Sequence, residues 1–283
     1  MMDLIAVILM SLFQGIIEWL PISSEGQLSL LFVTIYGLDN LTAVTLALIL
    51  HLGTMLSVIW YFRKDLMEII DYQSRVLHII LITTLGTAVT AIPLVIIFKE
   101  SWDTITKNLF LPADLVFTMV IGILLILTGL VLSTQPNQGT RDSISINNYE
   151  AFVLGLTQGF AALPGISRSG MTITYLLIIG IMHRDALKIS FLISIPAVLG
   201  ATTLEFILEG FSFTFQGIIV GEVIFSYPLL FLAIVLTGVI GFLTIDFLIK
   251  LKNIPYDKFC IGLGSATLLL GTIFIILRIV FAA

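Results

Sequence analysis

Long apolar runs separated by short polar interruptions dominate the chain. A helix of about twenty apolar residues is long enough to cross the hydrocarbon core of a bilayer, which is about 30 Å thick. Six runs of that length occur, each bounded by charges, Pro or Gly, near residues 42–62, 76–98, 113–133, 187–208, 224–248 and 258–281. The pattern therefore predicts an all-α integral membrane protein with six full spans.

Two further regions are interrupted in the middle. The apolar runs 4–13 and 28–36 are each about half a span long and flank the polar, turn-forming stretch 14–27. Irregular backbone at membrane depth must be buried in protein or face water, which favours a re-entrant helical hairpin. The alternative is one long kinked span through Trp19 with a loop at 21–27. A second hairpin is predicted at about 150–181.

The two interrupted regions are copies of one sequence element. A shift of 144 residues without gaps aligns three parts of the copies: Gln14-Gly15 with Gln158-Gly159, Ile22-Ser23 with Ile166-Ser167, and Gly26 with Gly170. We therefore predict one membrane domain with repeats at about 1–136 and 147–283 and a linker at about 134–148. Each repeat holds one hairpin and three spans, about ten helices in all. Because three is odd, the second repeat is inverted, and the hairpin tips meet near the membrane midplane.

Composition supports the membrane class, and loop charge predicts the orientation. The 283 residues are 58% hydrophobic and 11% charged, with a mean hydropathy of +1.14. Loops on one side carry nine cations and loops on the other carry three: Arg63, Lys64, Arg75, Arg141, Arg184, Lys188, Lys250, Lys252 and Lys258 against Lys99, Lys107 and Arg278. Cytoplasmic loops are rich in Lys and Arg, so both termini and the entry of the first hairpin are expected outside the cell membrane. The net charge of -5 says little about partners; no nucleic acid is expected, and a homodimer stays open.

The first tip carries polar side chains that are costly at membrane depth. Gln14 and Glu18 are four residues apart and share one helix face, where their oxygens suit a hard divalent cation such as Mg²⁺ or Ca²⁺. A polar contact between helices is the alternative, above all for Gln14. Ser23 and Ser24 either cap the following helix or belong to a site, and a cap would itself direct N–H groups at an anion.

The second tip, residues 165–170, places Arg168 among small hydroxyl residues and glycines. Glycine lets backbone N–H groups approach a ligand, and a guanidinium binds phosphate oxygens, so this stretch suits an anionic phosphate group. A structural role for Arg168 would need a buried carboxylate partner, either Glu18 or Glu25. Both roles bring the two tips together.

Other polar residues in the spans are interpreted as structural. His51 and His78 could be catalytic, but they are interpreted as packing residues, since a lone His on an apolar face is more often satisfied locally than functional. Glu205, late in its span, is interpreted as a snorkelling or helix-end group.

Two long motifs resemble those of a known family. Residues 14–28, QGIIEWLPISSEGQL, and 158–173, QGFAALPGISRSGMTI, resemble the signature motifs of the undecaprenyl-diphosphatase family, also called the bacitracin-resistance family. Residues 51–54 and 191–196 resemble its lesser motifs. The resemblance implies an integral membrane hydrolase that converts a polyprenyl diphosphate to the monophosphate, a lipid carrier reused in cell-envelope synthesis. It also implies a divalent-metal requirement, and with the charge pattern an active site that opens outward.

The resemblance also implies roles for single residues. Gln14 and Glu18 match the family's metal pair, Ser24 its proposed nucleophile and Arg168 its phosphate-gripping arginine, with Glu18 also expected to take part in catalysis. The remaining motif positions are expected to bind substrate: Ser23, Gly26, Gln27, Gly165, Ser167, Ser169 and Gly170.

Position 27 departs from the family pattern. The usual motif PxSSxGH has His where this chain has Gln27, which neither accepts a proton nor acts as a nucleophile. Three alternatives follow: a phosphatase that uses Ser24 with Glu18 or metal-bound water, a weakened enzyme, or a member with altered function. Glu25, in SSEG instead of the common SSTG, leaves room for an archaeal or otherwise divergent member with a different prenyl chain. A transporter or flippase of a polyprenyl phosphate lipid is the competing class, because inverted repeats and midplane hairpins also occur there.

Overall fold

Helices account for most of the structure. The computed structural model describes residues 4–69, 74–108, 112–136, 139–209, 212–213, 217–220, 223–250 and 256–281. Within these ranges the chain forms eleven α-helices: α1 (Leu4–Ile17), α2 (Ser24–Tyr36), α3 (Asn40–Tyr61), α4 (Arg63–Ile69), α5 (Arg75–Asn108), α6 (Ala113–Leu132), α7 (Asn148–Gly159), α8 (Arg168–Ile178), α9 (His183–Glu209), α10 (Tyr227–Lys250) and α11 (Tyr256–Phe281). Between α9 and α10 lie three short antiparallel strands, β1 (Ser212–Phe213), β2 (Gly217–Val220) and β3 (Val223–Ser226).

Six of these helices are long and apolar enough to cross a membrane: α3, α5, α6, α9, α10 and α11. The prediction of a multi-pass, all-α membrane protein is confirmed. The predicted start of the fifth span at residue 224 is wrong, because residues 223–226 pair with 217–220 as antiparallel strands and α10 begins only at Tyr227. The apolar run continues through the β3 strand, so hydropathy alone does not separate strand from helix there.

The first interrupted region is a pair of short helices. At 1.5 Å per residue, α1 with 14 residues and α2 with 13 are each too short to cross the hydrocarbon core. The alternative of a kinked span through Trp19 is wrong, because α1 ends at Ile17 and Trp19 lies in the turn between α1 and α2. Ser23 closes the turn with a φ of 59° and caps α2 by accepting a hydrogen bond from the Gly26 N–H.

The two hairpins pack in reciprocal fashion. Helix α1 lies against α10, and its sequence counterpart α7 lies against α5. A Cβ at Gly15 would stand 2.7 Å from Cγ2 of Ile240, and a Cβ at Gly159 would stand 2.5 Å from Cβ of Thr90. Only glycine allows this close approach at either contact. The reciprocal packing agrees with two related halves, while their inversion and their boundaries stay predictions.

The loops that carry most of the positive charge meet at one pole. Lys188 at the start of α9 pairs with Asp65 of α4, and the Arg75 guanidinium donates to the Ile146 carbonyl oxygen at 3.1 Å. The predicted linker is anchored at this pole through Arg141, which binds Glu150 at 2.8 Å. Some of the predicted linker and loop positions lie outside the described residues: 137–138, Lys252 and the side chains of Lys107, Lys250 and Arg278.

Candidate active site

The two hairpin tips meet inside the protein, as predicted. The Ser23 hydroxyl oxygen accepts hydrogen bonds from the N–H of Gly165, at 3.1 Å, and of Gly26, at 3.4 Å. A Cβ at Gly26 would stand 2.9 Å from the backbone nitrogen of Gly165, so the close approach requires glycine. The Ser169 hydroxyl adds a bond to the Leu20 carbonyl oxygen at 3.4 Å. Helices α2 and α8 therefore both begin at the point of contact.

Glu18 lies at the centre of this contact and is only 5% exposed. Its Oε1 accepts from Nη2 of Arg168 at 2.6 Å. Its Oε2 accepts from Nε2 of Gln14 at 2.8 Å and from the hydroxyl of Ser24 at 2.6 Å. A buried carboxylate is tolerated only with such partners. Arg168 is the first residue of α8, where the helix dipole disfavours a cation, so its position depends on Glu18.

Ser24 is the first residue of α2, and its side chain does not cap the helix. The cap is Ser23, which confirms the capping alternative for that serine alone. Ser24 is 7% exposed, and its hydroxyl faces Glu18 and the imidazole of His51. The arrangement leaves a hydroxyl group beside a carboxylate, an imidazole and a guanidinium.

His51, on α3, joins the site from a different part of the chain. Its Nε2 lies 3.0 Å from Glu18 Oε2 and 3.3 Å from Ser24 Oγ, and its Nδ1 lies 2.7 Å from the Ala47 carbonyl oxygen. The interpretation of His51 as a packing residue is wrong, because its ring contacts two predicted site residues. Two signals pointed to it: His51 opens the lesser motif at 51–54, and the family His is missing at Gln27.

The remaining predicted residues support the tips. Ser167 caps α8 by accepting from the Gly170 N–H at 3.2 Å, and its hydroxyl lies 3.3 Å from that of Ser169. The Ser167 N–H donates to Thr128 Oγ1 at 3.3 Å, which ties the second tip to α6. The Gln27 amide nitrogen is buried without a hydrogen-bond partner among the described residues.

A cavity of about 230 Å³ leads away from the site. Ser24 and Arg168 line it, and its walls are mainly apolar, with side chains of α3, α5 and α9 among them. Lys99 in the last third of α5 and Glu205 near the end of α9 also line it. Glu205 is 4% exposed, lies 2.9 Å from Lys99 Nζ and accepts from the Thr45 hydroxyl. The interpretation of Glu205 as a snorkelling helix-end group is wrong, since it is buried and paired on the cavity wall.

The predicted metal pair is engaged in hydrogen bonds within the protein in this arrangement. Gln14 turns its amide nitrogen to Glu18, while its amide oxygen is buried without a hydrogen-bond partner among the described residues. Both Glu18 oxygens accept from protein donors, Oε1 from Arg168 and Oε2 from Ser24 and Gln14. The described residues contain no group of three His, Cys, Asp or Glu side chains suited to a metal ion. A requirement for Mg²⁺ or Ca²⁺ stays a prediction.

Comparison with known proteins gives one consistent result. Residues 7–266 match the family model described as bacitracin resistance protein BacA. A curated undecaprenyl-diphosphatase of Methanothrix thermoacetophila is 36% identical over 270 residues, which cover 95% of this chain and 97% of the relative. Proteins of the same name from Methanococcoides burtonii and Haloarcula marismortui are 36% and 30% identical, and the alignments cover 95% and 94% of this chain and 98% and 96% of the relatives.

Proposed function

Because the chain belongs to the bacitracin-resistance family, we propose that it is a membrane phosphatase that removes the terminal phosphate of a polyprenyl diphosphate, undecaprenyl diphosphate or a similar lipid. The observation that carries the proposal is the Ser24 hydroxyl, held 2.6 Å from Glu18, whose other oxygen binds Arg168. This group lies at the end of a cavity with mainly apolar walls. A lipid with an anionic head and a hydrocarbon tail fits that combination.

Arg168 and the two helix starts bind the diphosphate in this proposal. The N-termini of α2 and α8 converge, and helix N-termini favour anions. Arg168 is 15% exposed at its side chain and lines the cavity, so phosphate oxygens reach the guanidinium as they replace Glu18 as its partner. Phosphoryl transfer depends mainly on positioning and charge stabilisation, which these groups supply.

Ser24 is the nucleophile in the proposed reaction. A bond forms between Ser24 Oγ and the terminal phosphorus, the bond from phosphorus to the bridging oxygen breaks, and the lipid monophosphate leaves. Water then attacks the phosphoserine, which releases inorganic phosphate and restores the hydroxyl. The sum is one diphosphate and one water converted to one monophosphate and one phosphate.

We also propose that the site opens to the extracytoplasmic side. The cavity lining includes Leu41 near the start of α3, Lys99 in the last third of α5 and Glu205 near the end of α9. The opposite pole carries the loops with Arg63, Arg141 and Arg184, and positive loops favour the cytoplasm. The start of α1 and the end of α11 are then extracytoplasmic. A homodimer and the absence of a nucleic-acid partner stay predictions.

Phosphate release by the purified protein in detergent tests the function. Undecaprenyl diphosphate is the substrate, and undecaprenyl monophosphate is the control that lacks the anhydride. We expect release from the diphosphate alone, and Ser24→Ala should lose nearly all of it. In micelles there is no transbilayer gradient, so a protein that binds the lipid without turnover would support the transporter or flippase. Full activity of Ser24→Ala would exclude the serine mechanism.

A further inference from the structure

The site has Gln27 at the position where the family motif has a histidine, and it contains the imidazole of His51 from another helix. Gln27, at the family's His position, presents an amide that does not accept a proton from Ser24. His51 comes from α3, 24 positions further along the chain, and is 7% exposed. The ring reaches the same hydroxyl group across the helix interface.

The hydrogen-bond partners of His51 indicate which of its ring nitrogens carries the hydrogen. Nδ1 lies 2.7 Å from the Ala47 carbonyl oxygen, which accepts hydrogen bonds only, so Nδ1 carries a hydrogen. In the neutral ring the lone pair is then on Nε2, 3.3 Å from Ser24 Oγ. Glu18 Oε2, 3.0 Å from the same nitrogen, stabilises the imidazolium that forms when Nε2 accepts a proton.

We propose that His51 is the proton acceptor for Ser24 and replaces, from a different helix, the histidine that this chain lacks at position 27. The inference rests on the proposed phosphatase function. As the bond from Ser24 Oγ to phosphorus forms, the hydroxyl proton moves to His51 Nε2, and the ring passes it to the departing monophosphate. In the second step His51 takes a proton from the attacking water and returns it to Ser24 Oγ.

Glu18 is less suited to accept this proton. Its Oε2 accepts from the Ser24 hydroxyl at 2.6 Å and also from Gln14, and these donors, with the Arg168 guanidinium on Oε1, favour the carboxylate over the protonated acid. A carboxylate held in this way orients the imidazole and balances its charge. Simple helix packing would explain the bond from His51 to Ala47 but not the contact of Nε2 with Ser24.

Exchange of the two positions tests the inference. Phosphate release from undecaprenyl diphosphate is measured for wild type, His51→Gln and the double variant His51→Gln/Gln27→His. Loss of a general base lowers the rate by about 10²-fold to 10⁴-fold. The rate of phosphate release by His51→Gln should therefore be lower than that of wild type by that factor. The double variant should recover at least about 10-fold over His51→Gln, since it returns the imidazole to the family position.

His78→Gln is the matched control. His78 also points a ring nitrogen at the carbonyl oxygen four residues earlier, Ser74, but it lies at the start of α5, exposed and outside the cavity lining. Its variant should keep wild-type activity. If His51→Gln keeps more than about a tenth of the wild-type rate while Ser24→Ala is inactive, the His51 role is wrong and the phosphatase function stands. A wild type that releases no phosphate overturns the function, and the inference with it.

Chemical rescue separates proton transfer from a structural role. Imidazole added to His51→Ala should restore activity in proportion to its concentration, because it fills the space of the missing ring and accepts a proton. Pyrazole, which has the same shape and is far less basic, should not. Rescue by both compounds, or by neither in a variant that elutes and unfolds like wild type, would contradict proton acceptance by His51.

Discussion

Glu18 accepts hydrogen bonds from side chains of both hairpins, which makes stability and catalysis hard to separate at this residue and at its partner Arg168. Removal of one member of a buried ion pair leaves the other charge uncompensated and costs about 3–5 kcal/mol. Variants of either residue therefore need a measurement of folding beside the measurement of rate.

Arg168→Ala should reduce turnover by at least about 10³-fold, the low end of the loss for an arginine that stabilises charge in phosphoryl transfer. Arg168→Lys should recover little of it, because Lys lacks the planar fork that binds two oxygens. Phosphate release is compared at equal amounts of monodisperse protein, judged by gel filtration. Near-normal turnover of Arg168→Ala would remove this residue from the site.

A substitution of Gln14 distinguishes two roles for its amide, a hydrogen-bond donor to Glu18 and a metal ligand. In the structure it donates to Glu18, so Gln14→Met should lower the rate by about 10-fold for a lost positioning hydrogen bond of about 1.5 kcal/mol. If activity depends on a divalent cation, the Mg²⁺ concentration for half-maximal rate should not change. A titration of Mg²⁺ after chelation measures it. A rise of several-fold would make Gln14 a metal ligand, as its spacing from Glu18 predicts.

At the scale of elements, the contact between the two tips depends on small residues. The start of α2 and the turn before α8 come within van der Waals distance through Gly26 and Gly165. The second hairpin is fixed at its other end by Arg141, which donates to Glu150 and to the Ile179 carbonyl oxygen. Each hairpin is therefore positioned by contacts outside itself.

Gly26→Ala should separate the tips. The new Cβ would stand 2.9 Å from the Gly165 backbone nitrogen, and backbone at a turn cannot move away cheaply. We expect the free energy of unfolding to fall by about 1–3 kcal/mol, which is typical of overpacking. The rate of phosphate release should also fall, because the two tips form the site. Gly262→Ala is the control, because no described atom lies within 4 Å of its Cβ. Equal thermal unfolding of both variants would show that the tips tolerate separation.

The Arg141 guanidinium, through its hydrogen bonds, holds the pKa of Glu150 below its usual range. Because the folded-state pKa is the lower one, the stabilisation is present above the unfolded-state pKa of about 4.3 and is lost as pH falls through the folded value. Glu150→Gln keeps an acceptor for the Asn147 N–H, so it removes mainly the ion pair. The variant should unfold about 2–4 °C lower than wild type at neutral pH. This difference in unfolding temperature should disappear in acid. A difference that does not depend on pH would mean that packing, and not the ion pair, causes it.

At the scale of the whole molecule, the site lies between a pole whose loops are rich in Lys and Arg and a pole whose loops carry fewer of them. The pole rich in Lys and Arg contains helix α4, the starts of α5 and α9, and the anchored linker. The cavity extends toward the other pole. Membrane orientation therefore decides which compartment supplies the substrate.

Two single-cysteine variants test the orientation in a Cys260→Ser background, where Ser keeps a donor for the Pro21 carbonyl oxygen. Thr104→Cys, near the end of α5, should react with an impermeant maleimide on intact cells. Ile144→Cys, 62% exposed in the anchored linker, should react only after permeabilisation. The opposite labelling would place the opening of the cavity in the cytoplasm.

Length and hydropathy are local properties, so the sequence by itself determined the six spans, both hairpin breaks and the repeat of the tips. The run at 224–226 misled the assignment, since a short apolar segment suits either strand or helix until its neighbours are known. The two motifs also carried the family resemblance, including Ser24 and Arg168.

Only the tertiary structure decided which buried polar groups pair. Glu18 had Arg168 or a cation as possible partners in the sequence, and the packing of the tips gave it Arg168, Ser24 and Gln14. Glu205 found Lys99 on another helix, 106 positions away. His51 reached Ser24 because α3 packs beside α2. A buried polar group must find a partner, but sequence distance does not say which partner, since helix packing sets that distance in space.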